Sequence, residues 1–339
     1  MTNFSELSTL HVGGPVQRVI HARSEEELIS YVREADESET PLLIIGGGSN
    51  LLVSDVGFNG TLIVVSTRGN SYEIDACSGG MLQVAAGENW DEFVEFTLTK
   101  HLANLESLSG IPGTVGATPI QNIGAYGHDV AEVIARLRTY DRLEKSVKTF
   151  TADQCGFSYR DSIFKRDRDR YVILDVTFQL RRGEHSLPIS YQELATRLGV
   201  NIGDRVPILD VRRVVLELRE KKGMLYKEQD KNWSAGSFFV NPVISASEVL
   251  QLPAETPRWV QSDGSVKIPA AWLMEHAGVV KGETLGGASI SARHVLAITN
   301  SGTASASEIL ELARSARRRV QAKFGITLVP EVRLVGLEI

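Results

Sequence analysis

Two glycine turns are the stretches of this chain whose residue types could hold a ligand, and one arginine, one serine and one glutamate could do chemistry beside plain structural roles. Residues 109–127 read SGIPGTVGATPIQNIGAYG, with glycine at 110, 113, 116, 124 and 127, proline at 112 and 119, and the amide pair Gln121 and Asn122. Glycine tolerates positive φ and lets a ligand approach the backbone closely. Successive N–H groups in such turns form anion-binding nests. The stretch reads as a wall around a large, flat, phosphate-bearing cofactor, or as an ordinary glycine-rich surface loop. A second turn, Gly46, Gly47, Gly48, Ser49 and Asn50, follows the apolar run Leu42–Ile45 and reads as a phosphate cradle or as a glycine hairpin. No helix of useful length separates it from the β-rich run 61–66, so it is not the strand–GxGxxG–helix unit of a dinucleotide fold.

Arg160 stands in YRDSIFK, flanked by Phe157 and Phe164. Its planar guanidinium suits a two-point grip on a carboxylate; the plain alternative is an ion pair with Asp161. Glu331 follows Pro330 near the chain's end, where it pairs with Arg333 on an exposed strand or serves a site. Ser237 lies in AGSFF and reads as a serine in a tight turn. No G-x-S-x-G elbow or nearby His and Asp partners support a nucleophilic serine.

The elements that must hold these residues are mixed helix and strand. A Ser24/Glu27 capping box opens a helix over 24–38, with Leu28, Val32 and Ala35 on one face. Strands are expected at 81–86, 133–140, 146–150 and 172–180, the last alternating strictly. Helices are expected at 89–101, with Trp90, Phe93, Val94 and Leu98 inward, and at 209–222. The polar stretch 223–233 reads as a linker or mobile junction. Beyond it come short helices at about 245–251 and 270–277, a strand at 295–300, and a long helix over 305–324. A Ser305/Glu308 box starts that helix and Gly325 stops it. Arg314, Arg317, Arg318, Arg319 and Lys323 in its last turns read as a solvated face complementing the helix dipole. The run 326–335 reads as a final strand.

Bulk properties narrow the classes. The 339 residues suggest two or three domains, and 42% hydrophobic with 23% charged residues is a soluble globular composition. A net charge of −6 argues against a nucleic-acid binder. Two distant cysteines, Cys77 and Cys155, make no disulfide framework, and the seven scattered histidines offer no metal-ligand spacing. No secretory signal or membrane-spanning apolar run is visible. A cytoplasmic protein, not inserted in a membrane and without a bound metal, is expected.

Taken together, 46–50, PIQNIGAYG, YRDSIFK, GSFFVNP and PEVR occur in an order that resembles the UDP-N-acetylenolpyruvoylglucosamine reductase (UDP-N-acetylmuramate dehydrogenase) family, from about residue 8 to the end. The resemblance implies an α+β architecture. Its FAD-binding fold is of the vanillyl-alcohol-oxidase (PCMH) type in two subdomains, followed by a C-terminal α+β substrate-binding domain. The implied division is 1–66 plus 327–339, then 67–222, then 223–326.

FAD is implied to bind non-covalently through Gly46, Gly47, Gly48, Ser49 and Asn50, and through Gly110, Ile111, Pro112, Gly113, Gly116, Ala117, Gln121, Asn122, Gly124, Ala125 and Tyr126. NADPH is the implied electron donor, a UDP-sugar the substrate, and a monomer the expected state. Arg160 matches the family's catalytic arginine, Glu331 its second intermediate-stabilising residue, and Ser237 its proton donor. Tyr191 matches the tyrosine that closes over the UDP-sugar in the subclass possessing that loop. Lys222 matches the diphosphate-binding lysine, with Lys221 as the competing choice, and Asn241 matches a substrate-contacting asparagine.

The chemistry fits such a trio. Hydride added to the terminal CH2 of an enolpyruvyl ether leaves charge that spreads into the carboxylate, which needs donors or positive charge beside it. A proton must then reach the former enol carbon. The rivals are an oxidase of the same FAD fold acting on an alcohol or sugar, and a nucleotide-sugar binding protein without a redox cofactor.

Overall fold

The computed structural model describes residues 2–75 and 79–339, so Cys77 lies outside the described residues. The chain divides into two compact units. One comprises the stretch up to Val16, Gly48–Phe58 and Lys221–Ile339; the other comprises Gln17–Gly47 and Asn59–Glu220.

The second unit is built on an antiparallel sheet. Its strands run in the order Ser146–Thr151, Ile134–Asp141, Tyr171–Arg182, Gly79–Ala85 and Asn70–Asp75, with Leu102–Ala103 pairing the far end of Tyr171–Arg182. The alternation in 172–180 puts Val176, Phe178 and Leu180 into the core with Trp90, Phe93 and Val94 of helix Trp90–Thr99. Trp90 is almost wholly buried, and its indole N–H donates to Leu108 O at 3.0 Å, which ties the helix to the entrance of the glycine-rich stretch. A smaller sheet has Phe58–Val65 between Val16–Ala22 and Leu42–Ile45, the last parallel, with Ile45 opposite Val64. Ser24 caps helix Glu25–Glu37, its Oγ accepting the Glu27 N–H, but Glu27 accepts the Arg23 N–H and does not close the expected box on Ser24. Helices Gln192–Leu198 and Ile208–Lys221 form a separate small core through Leu194, Val211, Val214, Val215 and Leu218.

In the first unit, Trp233–Ser237, Ala297–Asn300, Ala288–Ile290 and Thr284–Leu285 make a sheet backed by helix Ala306–Phe324. Ser305 and Glu308 form the expected capping box, and Gly325 ends the helix at φ +71°. Asp55 adds its carboxylate to the helix N-terminus, accepting from Ala306 N at 2.7 Å and Ser307 N at 3.0 Å.

Two further expectations need correction. Only Arg333–Val335 of the run 326–335 is a strand; before it the chain makes a single antiparallel bridge, Pro330 opposite Phe239. The strand pairs in parallel with Leu51–Val53. The basic face of the long helix is not simply solvated: Arg314 and Arg317 hold the carbonyls of Glu338 and Ile339, Arg319 makes a two-point pair with Glu283, and Lys323 holds His276 O.

Candidate functional site

In the second unit the two glycine segments meet. A Cβ on Gly46 would collide with the Thr114 side chain, and one on Gly47 would lie 3.0 Å from Gly113 Cα. Only residues without side chains allow this approach. The segment 110–113 is an arch pinned at both ends to the start of helix Trp90–Thr99: Asp91 Oδ1 accepts Gly110 N–H at 2.6 Å, and Gly113 O accepts Trp90 N–H at 3.1 Å. Ile111 and Pro112 form its crown and are half-buried. Arg219 Nε donates to Gly110 O at 3.1 Å, so that one residue is held on both sides. Arg212 forks onto Asp91 at 2.7 and 2.9 Å. Burial alone would raise the Asp91 carboxyl, but the Arg212 hydrogen bonds, the Gly110 N–H and the charges of Arg212 and Arg219 hold it below its ordinary value. Sequence reasoning had singled out none of these three charged residues.

Further along, Gly116 sits in the short 3-10 helix Val115–Ala117 and donates its N–H to Ala86 O at 2.8 Å. Gln121, Ala117 and Ala125 are half-buried. Asn122 is buried at φ +48°; its amide donates to Ser158 O at 3.1 Å and its carbonyl accepts the Ala131 N–H at 3.0 Å. Its side chain therefore ties the hairpin Gly124–Ala125/His128–Asp129 to the turn that carries Arg160.

Arg160 itself adopts φ +53°, a left-handed conformation uncommon outside glycine. Its guanidinium donates to Gly124 O at 2.6 Å and Asn122 O at 3.3 Å, and lies 3.5 Å from Asp129. Asp161, the partner considered from sequence, pairs instead with Arg166. Gly124 is small of necessity, because a Cβ there would strike Asp129 and stand 2.9 Å from Arg160 Nη1. Arg160 is thus fixed over the glycine-rich hairpin.

Tyr126, at φ +51°, meets Tyr191 edge-on with ring centroids 5.5 Å apart. Burial pushes the Tyr126 hydroxyl up to about 12, so it stays a neutral donor. Tyr191 occupies the N-cap position of helix Gln192–Leu198 and is 39% exposed.

The first unit holds the other named residues. Gly48, at φ +62°, lies against Leu7, and its carbonyl accepts the Thr9 N–H at 3.2 Å. The Thr9 hydroxyl lies 3.4 Å from Ser49 O and 3.1 Å from Ser234 O. Asn50 Nδ2 donates to Glu331 O at 3.1 Å, and Asn50 O accepts the Arg333 N–H at 3.0 Å.

Ser237 ends strand Trp233–Ser237 just past a bulge. Ser234 faces Thr299 and Ser237 faces Ala297, so the strand carries one extra residue, accommodated by Gly236 at φ +76°. Such a bulge re-aims the next side chain. The following residue, Phe238, accepts the Glu331 N–H at 2.8 Å, which brings Glu331 beside Ser237. Lys221 is exposed at the end of its helix, whereas Lys222 is half-buried. Asn241 Oδ1 accepts the Ala270 N–H at 2.9 Å, fixing the start of helix Ala270–His276.

The structure therefore groups Ser237, Glu331 and Asn50 in one unit, and Arg160, Tyr126, Tyr191 and the glycine arch in the other.

Comparison with known proteins agrees with these motifs. Residues 227–335 match the family model of the UDP-N-acetylenolpyruvoylglucosamine reductase C-terminal domain, and residues 16–149 match an FAD binding domain. The chain is 50% identical over 337 residues to the UDP-N-acetylenolpyruvoylglucosamine reductase of Cutibacterium acnes, covering 98% of this chain and 89% of that protein. It is 47% identical to the protein of the same name from Thermobifida fusca, covering 98% and 96%. The crystal structure of the Thermus caldophilus UDP-N-acetylenolpyruvylglucosamine reductase superposes with a TM-score of 0.67 at 26% identity, covering 98% of this chain and 97% of that one. The α+β FAD-binding architecture implied by the motifs follows, and the chain belongs to the UDP-N-acetylenolpyruvoylglucosamine reductase family.

Proposed function

We propose that this protein is the NADPH-dependent flavoenzyme that reduces UDP-N-acetylglucosamine enolpyruvate to UDP-N-acetylmuramate in peptidoglycan precursor synthesis. Family membership over nearly the whole chain gives the reaction. The observation in the structure that carries it is the meeting of the two glycine turns, with Gly46 and Gly47 packed on 113–114 at distances that a Cβ would forbid. Such bare backbone suits the pyrophosphate and ring of FAD. When bound and reduced by NADPH, FAD supplies hydride from its N5 to the enolpyruvyl CH2.

The chain's own residues do the rest. Arg160, rigid on its hairpin, grips the substrate carboxylate and takes up the charge that collects there. Glu331, in its protonated form, donates a hydrogen bond to the enediolate. Ser237 Oγ gives its proton to the former enol carbon and is reprotonated from solvent; a carbanionic centre is basic enough to take a hydroxyl proton. Tyr191 closes over the UDP-sugar, with Lys222 at the diphosphate and Asn241 at the substrate. The half-burial of Lys222 favours it over Lys221.

The division into 1–66 plus 327–339, 67–222 and 223–326 belongs to the same reading. The pairing of Arg333–Val335 with Leu51–Val53 supports joining the chain's end to the first part. So do a monomeric state and a cytoplasmic location; among the described residues, no helix is long and apolar enough to cross a membrane.

The test is a pair of half-reactions under anaerobic conditions. NADPH should bleach the bound flavin, and UDP-N-acetylglucosamine enolpyruvate should restore its oxidised spectrum. A flavin reduced by alcohols or sugars and not reoxidised by the enolpyruvyl sugar would replace this reading with an oxidase. A colourless protein that binds only the nucleotide sugar would remove the redox function.

A further inference from the structure

We propose that the ion pair of Asp91 with Arg212 is a positioning device that sets the 110–113 arch, so that FAD affinity depends on side chains that touch no ligand. The inference rests on the reading of 110–113 as part of the FAD wall.

The geometry is specific. Asp91 stands in the first turn of helix Trp90–Thr99, and its Oδ1 takes both the Gly110 N–H and Arg212 Nη1, while Oδ2 takes Arg212 Nη2. The Arg212 side chain is 12% exposed and that of Asp91 33%, so the pair is partly sheltered from screening. About two turns further along helix Ile208–Lys221, Arg219 holds Gly110 O. Gly110 stands at φ +72°, a conformation with no strong preference of its own for where the peptide planes point. Its orientation is therefore dictated by the carboxylate on its N–H and the guanidinium on its carbonyl.

Trp90 N–H fixes the other end of the arch at Gly113. With Asp91 slack, the arch keeps Arg219 on Gly110 O and Trp90 on Gly113 O but loses the grip on the Gly110 N–H. A bidentate fork restricts the carboxylate in two directions, which a single ammonium does not. The neighbouring pair of Arg213 with Glu217 lies on the exposed side of the helix and reaches no part of the arch, which makes it a matched control.

The experiment titrates FAD into deflavinated full-length protein, following quenching of flavin fluorescence, for wild type, Arg212→Gln, Arg212→Lys and Arg213→Gln. Loss of the charge-assisted contact should weaken FAD binding about tenfold in Arg212→Gln. Arg212→Lys should recover part of the loss, and Arg213→Gln should match wild type. The visible spectrum of the bound flavin should shift in Arg212→Gln alone, a signature that mere loss of stability does not produce.

Affinity within about twofold of wild type, or equal losses in the Arg212→Gln and Arg213→Gln proteins, overturns the proposal. Should Arg212→Gln fail to fold, Asp91→Asn decides by the same titration, since it keeps a neutral acceptor for Gly110 and loses the ionic grip. A wild-type protein that binds no FAD sinks the functional reading along with this one; tight wild-type binding with an indifferent Arg212→Gln sinks this one alone.

Discussion

Gly116→Ala should damage the protein far more than one added methyl suggests. A Cβ at this position lies 2.5 Å from Ala86 Cβ, 3.0 Å from its Cα and 3.1 Å from its carbonyl oxygen. Comfortable carbon contact begins near ~3.5–4.0 Å, so the two segments must part by about 1 Å. No side chain can rotate away, because the obstacle is Ala86 itself, whose N–H donates to Leu174 O at 2.9 Å and whose carbonyl holds Gly116 N–H. Overpacking of this kind costs ~1–3 kcal/mol. For a domain of this size class each kcal/mol lowers Tm by ~2–4 °C, which gives a fall of roughly 2–12 °C. The methyl also pushes the wall between 110–113 and 121–126, and misplacement by about 1 Å at a positioned site costs up to ~100-fold. Thermal unfolding of the FAD-free protein reads the first effect, and FAD titration by fluorescence reads the second. An alanine variant with unchanged Tm and unchanged FAD affinity would mean that the contact between 116 and 86 is loose, and the argument about the wall would fail with it.

Three other outcomes follow from the site. Arg160→Lys should slow flavin reoxidation by substrate ~100-fold or more while NADPH reduction stays fast, since one ammonium cannot replace the fork; near-normal turnover defeats the clamp. Ser237→Ala should likewise spare reduction and slow reoxidation by ~100–10,000-fold, and two fast half-reactions would show that Ser237 is not the acid. His128→Gln tests a charge on the hairpin beside the glycine stretch. The Glu132 hydrogen bond at 2.9 Å, working against burial and aided by the charges of Glu132, Glu106 and Asp129, raises the His128 pKa. Stability from a raised pKa is fully present below the unfolded value of ~6.5 and is lost as pH rises through the folded value. The variant should therefore lose more Tm against wild type near pH ~6 than near pH ~8.5; parallel curves across that window would refute the assignment. Burial raises the Glu106 pKa, which also withdraws stability as pH rises, from the lower carboxylate range upward.

Much of the scaffold was legible because its signals are local. Ser24 and Ser305 each cap the helix that their spacing to an acidic residue foretells. The alternation of 172–180 yields the central strand of the large sheet. What stayed hidden lacks a local pattern. Asn70–Asp75 is an edge strand exposed along nearly its whole length, so NSYEID shows no apolar face. Trp233–Ser237 is disguised by the bulge at Gly236, which breaks the period-two rhythm. Motif matching named Arg160, Ser237 and Glu331 but could not see what holds them. Asp91 and Arg212 are 121 residues apart, and nothing in either neighbourhood announces the other. An aspartate in a first helical turn is ordinary. Nor does anything near Asn122 announce that its side chain fastens the Arg160 turn to the hairpin.

The clasp between Leu51–Val53 and Arg333–Val335 has a consequence for biosynthesis. A nascent chain carries the first partner for some 280 residues of synthesis before the second emerges from the ribosome. Through that interval the 51–53 edge presents unpaired backbone to whatever surrounds it. Asn50 sits at the edge of the same clasp and, once it closes, holds the Glu331 carbonyl. A stalled or clipped product lacking residues 333–339 would thus lose the strand that closes over Asn50 beside Glu331, as well as keeping a sticky edge.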